Sequence, residues 1–143
     1  MLEKMISILL VEDDEVDVMN VKRAFKKENI TNPIFIASNG LEALTILRGN
    51  HAKYPEFPQE RRLILLDLNM PKMGGIEFLQ ELRSDPQLRP TPVVVMTTSN
   101  QDQDRVEAYN LNVAGYILKP VTFSSFVEMM VTINKYWILC EMP

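Results

Sequence analysis

Short apolar runs, each bounded by turn-forming or charged residues, punctuate this chain: Ile6 to Val11 (ISILLV), Leu63 to Leu66, Pro92 to Met96 (PVVVM) and Gly115 to Leu118 (GYIL), with a briefer one from Ile34 to Ala37. Runs of this kind predict strands, those beginning at Ile6, Leu63 and Pro92 covered on both faces as in a parallel sheet. Between them apolar residues recur at helical spacing. Val18, Val21 and Phe25, with Ala24 alongside, predict a helix from Val16 to Lys27. Acids precede it and Lys22, Arg23, Lys26 and Lys27 crowd its far end, which suits the helix dipole. Ser38 or Asn39 can cap a second helix with Leu41, Leu44 and Leu47 inside, ending near Gly49. Ile76, Leu79 and Leu82 mark a third over Gly75 to Arg83, closed by Asp85 and Pro86. A fourth, Asp102 to Asn110, is weakly amphipathic, with Val106 and Tyr109 its clearest apolar positions, and is expected to be marginal and movable.

Thr122 caps the last helix, which runs from Phe123 to about Leu139. Phe123, Phe126, Val127, Met130 and Trp137 are its expected core face. Met129, Ile133 and Tyr136 recur on the adjoining face, where a surface helix is normally polar. That stripe predicts a homodimer through the last helix, extending to the fourth helix and fifth strand. Asn50 to Arg62 has two prolines and no period, and predicts a long loop that Tyr54 and Phe57 could pack down.

Alternation of five strands with five helices predicts a doubly wound α/β fold with right-handed crossovers. The expected sheet is parallel and flavodoxin-like, in strand order 2-1-3-4-5, with strands one and three side by side at the switch point.

Composition narrows the function. At 143 residues, 46% hydrophobic and 24% charged, the chain fits one globular domain. A net charge of −4 disfavours nucleic acid as a direct partner. One cysteine, Cys140, excludes an internal disulfide, and no run approaches the ~20 apolar residues of a membrane span, so a cytoplasmic protein is expected. His51 is the only histidine, which excludes chemistry built on a histidine pair and disfavours a Ser, His and Asp set.

The strand ends carry the chemistry. Strand one runs into Glu12, Asp13, Asp14 and Glu15, strand three into Asp67, strand four into Thr97, and strand five into Lys119. Carboxylates gathered on one rim need a cation, since two of them ~4 Å apart repel by about 4 kcal/mol at an effective dielectric near 20. All-oxygen ligands point to magnesium. Asp67 could then attack a phosphoryl group, with Lys119 neutralising the developing charge and Thr97 donating its hydroxyl. A phosphohydrolase with an Asp nucleophile would need a second carboxylate two residues on, where Asn69 stands. A nucleotide-binding module would need a glycine-rich loop after strand one, which is absent. A scaffold that is never phosphorylated is the remaining alternative.

VEDD at Val11 to Asp14, LLDLNMP at Leu65 to Pro71, MTTS at Met96 to Ser99 and GYILKP at Gly115 to Pro120 together resemble the receiver domain of a two-component response regulator. The resemblance spans nearly the whole chain and implies a single receiver domain over residues 1–143, with an extended last helix and a short tail. It implies a histidine kinase as phosphodonor, and activity limited to self-phosphorylation and slow self-dephosphorylation. It further implies that Asp67 is the phosphoacceptor, that Asp13 binds magnesium directly and Glu12 through water, and that Asn69 offers a backbone carbonyl to the metal. Thr97 would be the switch hydroxyl, Tyr116 the switch aromatic and Lys119 the charge-sensing lysine, with a cis bond between Lys119 and Pro120. Gly74 replaces an Asp common before the glycine of the turn after strand three. The Asn50 to Arg62 loop and the tail KYWILCEMP resemble the single-domain regulators that partner phytochrome-type histidine kinases.

Overall fold

The computed structural model describes residues 5–143. Strands β1 (Ser7–Val11), β2 (Ile34–Ala37), β3 (Arg62–Leu66), β4 (Val93–Thr97) and β5 (Gly115–Leu118) alternate with helices α1 (Glu15–Lys27), α2 (Gly40–Leu47), α3 (Gly75–Ser84), α4 (Asp102–Asn110) and α5 (Phe123–Leu139). The sheet is parallel in order β2-β1-β3-β4-β5, as expected. β1, β3 and β4 are buried along their whole length, which is why their sequences do not alternate.

Two cores flank the sheet. On one face Leu9, Val11, Ile64, Leu66 and Val95 meet Leu44, Ile46 and Leu47 of α2, Phe78, Leu79 and Leu82 of α3, and Ala108 of α4. On the other Ile8, Leu10, Leu65 and Met96 meet Val21 and Phe25 of α1 and Phe126, Val127 and Met130 of α5. Side chains fix the helix starts: Asp14 accepts from the N–H groups of Val16 and Asp17 at 2.8 and 3.3 Å, Asn39 from Glu42 at 2.8 Å, and Thr122 from Ser125 at 3.2 Å.

Helix positions differ from expectation in detail. Leu41 is 53% exposed, because the α2 stripe in contact with the sheet runs through Ala43, Leu44, Ile46 and Leu47. Val106 and Tyr109 are also about half exposed, at 56% and 49%, and only Ala108 of α4 is buried. Where a helix has almost no amphipathic preference, the space left by its neighbours decides which face is covered. On α5, Met129 and Ile133 pack against the core, whereas Tyr136, Ile138 and Leu139 are 60%, 55% and 83% exposed. The Lys119 to Pro120 bond is trans, since no cis peptide occurs among the described residues. Even before proline the trans form is favoured by about 0.5–1 kcal/mol.

The long loop is packed down as expected. Phe57 is buried, and Phe35 of β2 meets the rings of Tyr54 and Phe57 edge-on at 5.2 and 4.9 Å. His51 serves this loop: its Nε2 lies 2.9 Å from Glu42 Oε2 and its ring stacks on Tyr54. Arg62 belongs to β3 rather than to the loop, and its buried guanidinium donates to the carbonyls of Leu47 and Pro58.

Candidate functional site

Because β1 and β3 are neighbours with Val11 opposite Leu66, the residues that follow them share one rim. Backbone bonds carry the pairing one step past the strands. Asp67 N–H donates to Val11 O at 3.0 Å, Glu12 N–H to Ala37 O at 2.9 Å, and Lys119 N–H to Thr97 O at 2.9 Å. Glu12, Asp67 and Thr97 are buried at that rim, while Asp13 is exposed. Glu12, Asp13 and Asp67 each offer a carboxylate oxygen, all within 4.8 Å of one another. Lys119 Nζ donates to Glu12 Oε2 at 2.7 Å and lies 3.6 Å from Asp67 Oδ2. Asn69 N–H donates to Asp67 Oδ1 at 3.3 Å, which holds its peptide in the same turn.

Charge on this rim is unbalanced. Burial pushes the Glu12 carboxyl up to about 7, and the Asp67 charge adds to the rise, against the pull of Lys119 and of the Asp14 N–H. Burial alone would lower the Lys119 ammonium, but its bonds to Asp17 and Glu12 carry it well above its usual value. One ammonium thus serves three carboxylates, and Asp13 has no cation of its own among the described residues. All-oxygen donors with surplus negative charge fit a hard divalent cation.

The turn after Asp67 is held from two sides. Gly40 N–H donates to Met73 O at 3.1 Å and Gly75 N–H to Leu68 O at 3.0 Å, with Lys72 and Met73 both at positive φ, 49° and 75°. Left-handed backbone at two consecutive non-glycine residues is strain held in place by its surroundings, a common condition beside functional groups.

A second set of bonds leads away from the rim. Thr97 Oγ1 accepts from Ser99 N–H at 3.2 Å, Ser99 Oγ donates to Asp104 Oδ2 at 2.5 Å, and Tyr116 OH donates to Ser99 O at 2.9 Å. Ser99 therefore joins Thr97, Tyr116 and the start of α4.

All residues read from the strand ends lie on or beside this rim, with Tyr116 reaching it through Ser99. Two participants were missed. Asp17 donates nothing to a sequence motif, yet its Oδ2 accepts from Lys119 Nζ at 2.6 Å across a separation of 102 residues. In the sequence it is one more acid in the first turn of α1. Ser99 was legible only as the end of MTTS, with no signal for its bonding role.

A five-stranded doubly wound sheet with an acidic cluster, a buried threonine and a lysine on one rim defines a phosphoacceptor receiver domain. The chain belongs to the response regulator receiver domain family, which matches residues 8–131. It is 37% identical over 131 residues to response regulator Rcp1 of Synechocystis sp., a match covering 92% of this chain and 88% of that one. It is equally identical, over 92% of this chain and 83% of the relative, to the probable methanogenesis regulatory protein FilR2 of Methanothrix harundinacea. The crystal structure of the phosphorylated cyanobacterial phytochrome response regulator RcpA superposes with a TM-score of 0.86 at 33% identity, covering 97% of this chain and 99% of that one. The Mn²⁺-bound form of Rcp1 superposes with a TM-score of 0.82 at 36% identity, covering 96% and 98%. This protein is thus a response regulator whose receiver domain acts as a phosphoacceptor switch partnered by a histidine kinase. No helix among the described residues is long and apolar enough to cross a membrane.

Proposed function

We propose that Asp67 accepts a phosphoryl group from a histidine kinase in a magnesium-dependent reaction and signals through altered protein contacts. The observation that carries this reading is the Asp67 carboxylate, buried at the end of β3, with Glu12 and Asp13 oxygens within 4.8 Å and Lys119 Nζ 3.6 Å away. Asp13, Asp67 and the Asn69 carbonyl would hold Mg²⁺ directly, with Glu12 acting through water. The bound ion would supply positive charge to the transferring phosphoryl oxygens. An Asp67 oxygen forms the new bond to phosphorus, the bond from phosphorus to the kinase imidazole nitrogen breaks, and its electron pair returns to that nitrogen.

Lys119 offsets the charge that remains on the aspartyl phosphate. Thr97 Oγ1 accepts from Ser99, so its own proton is available for a phosphoryl oxygen. Motion of Thr97 would draw on Ser99, whose carbonyl holds Tyr116, and so turn Tyr116 inward. Asn69 in place of a second carboxylate supports a switch with slow self-dephosphorylation over a turning-over hydrolase.

A phytochrome-type kinase is the proposed partner, supported by likeness to RcpA. Residues 1–143 act as one receiver domain with an extended last helix. A homodimer through the end of α5 is supported by exposed Tyr136, Ile138 and Leu139. A single cysteine, Cys140, supports a role in the reducing cytoplasm, and the net charge of −4 supports the absence of direct nucleic-acid contact. Incubation with acetyl phosphate and Mg²⁺, read by intact mass, should add one phosphoryl group to the parent and none to Asp67→Asn. Equal labelling of the two would refute the assignment.

A further inference from the structure

The Lys119 ammonium has three hydrogens to donate, and its bonding is lopsided. Asp17 Oδ2 is its nearest partner at 2.6 Å, Glu12 Oε2 follows at 2.7 Å, and Asp67 Oδ2 stands off at 3.6 Å, beyond a good hydrogen bond. The lysine side chain is only 10% exposed and Asp17 is 23% exposed, so this ion pair is partly withdrawn from water. Asp17 itself is fixed, because its own N–H is capped by Asp14 in the first turn of α1.

We propose that Asp17 is a positioning residue that holds Lys119 off Asp67 in the unphosphorylated protein, and that Lys119 leaves it when the phosphoryl group arrives. Resting on the reading of Asp67 as phosphoacceptor, this assigns α1 a part in the reaction. The acidic cluster and the phosphodonor meet an Asp67 whose oxygens carry no lysine hydrogen bond, so the lone pairs needed for the cation and for attack stay free. Without Asp17, the ammonium is no longer drawn toward α1 and closes the 3.6 Å gap to Asp67. Lys119 then competes directly with the divalent cation for the same carboxylate.

A double-mutant cycle on cation binding tests this, with Mg²⁺ and Mn²⁺ titrated alone by calorimetry into the full chain. Asp17→Asn keeps the side-chain shape, and thermal unfolding checks that it folds. In the parent, Asp17→Asn should weaken cation binding about tenfold, in line with coupling between groups in one ion-pair network. In a Lys119→Gln background the same substitution should change affinity by less than about twofold, because the lysine that Asp17 restrains is gone. An equal loss in both backgrounds would make Asp17 a bare charge acting at a distance and would overturn the proposal. Unchanged affinity in the parent would also overturn it. Failure of the phosphoacceptor reading looks different: Asp67→Asn would label like the parent whatever the cycle gives.

Discussion

Gly75 opens α3 against the backbone that carries Asp67. A Cβ built there would lie 2.6 Å from Leu68 Cα, 2.7 Å from Leu68 Cδ2 and 2.8 Å from Asp67 O. Two of those atoms are backbone and cannot swing aside, and the Gly75 N–H to Leu68 O bond ties the segments together. Gly75→Ala must therefore push the turn after β3 away from α3, displacing the peptide next to the phosphoacceptor. Overpacking of this kind costs about 1–3 kcal/mol. The helix preference of alanine over glycine offsets at most about 0.5–1 kcal/mol. A net loss of about 1–2 kcal/mol, at about 4 °C per kcal/mol for a chain of this size, lowers the melting temperature by about 4–8 °C. Gly74→Ala is the control, because its nearest neighbours, Leu68 O and Met70 O, lie at 3.4 and 3.7 Å, and it should stay within about 0.5 kcal/mol of the parent. Thermal unfolding by circular dichroism, paired with acetyl phosphate uptake, reads both effects. If Gly75→Ala melts and labels like the parent, or if Gly74→Ala is damaged as badly, close approach at Gly75 does not hold the site.

Thr97→Ala should still take up phosphate at Asp67 but lose the relay. Phosphorylation would then leave the Ser99 and Tyr116 amide resonances in place, and parent-sized shifts in the variant would contradict the Ser99 linkage. The Glu12 carboxyl, raised by burial to about 7 in the folded chain from an ordinary 4.5, binds its proton more tightly there than when unfolded. Cation-free stability should therefore be insensitive to Glu12 below pH 4.5 and fall by about 3 kcal/mol as pH rises through the window to 7. Mg²⁺ affinity should climb over the same window with proton release, and a flat cation-free denaturation profile across it would refute the buried ionisation. Self-association should be lost in Leu139→Glu, since that residue is exposed on the proposed contact and contributes nothing to the core. Sedimentation equilibrium at micromolar to millimolar concentration decides it, and a parent that remains monomeric with and without phosphorylation would leave this surface to another partner.

The sequence by itself determined the fold and the members of the site that follow strands. Short apolar runs bounded by turn residues read as strands, and five of them alternating with helices allow few topologies. Only β1, β3 and β4 are covered along their whole length, because β2 and β5 are the edges of the sheet and are partly exposed. Once that order holds, whatever follows β1, β3, β4 and β5 must meet on one rim, so Glu12, Asp13, Asp67, Thr97 and Lys119 were legible as a group. Tertiary structure alone decided the rest. Leu41, Val106 and Tyr109 are exposed because short or weakly amphipathic helices let neighbouring elements choose the covered face. Met129 and Ile133 turned to the core because α5 packs across β1, β3 and β4 against α1, leaving Tyr136 and Leu139 outside. Asp17 joined Lys119 only through the packing of α1 beside the end of β5. Periodicity and capping are local properties that a single stretch of chain can express, whereas the partner of a lysine 102 residues away depends on how whole elements pack.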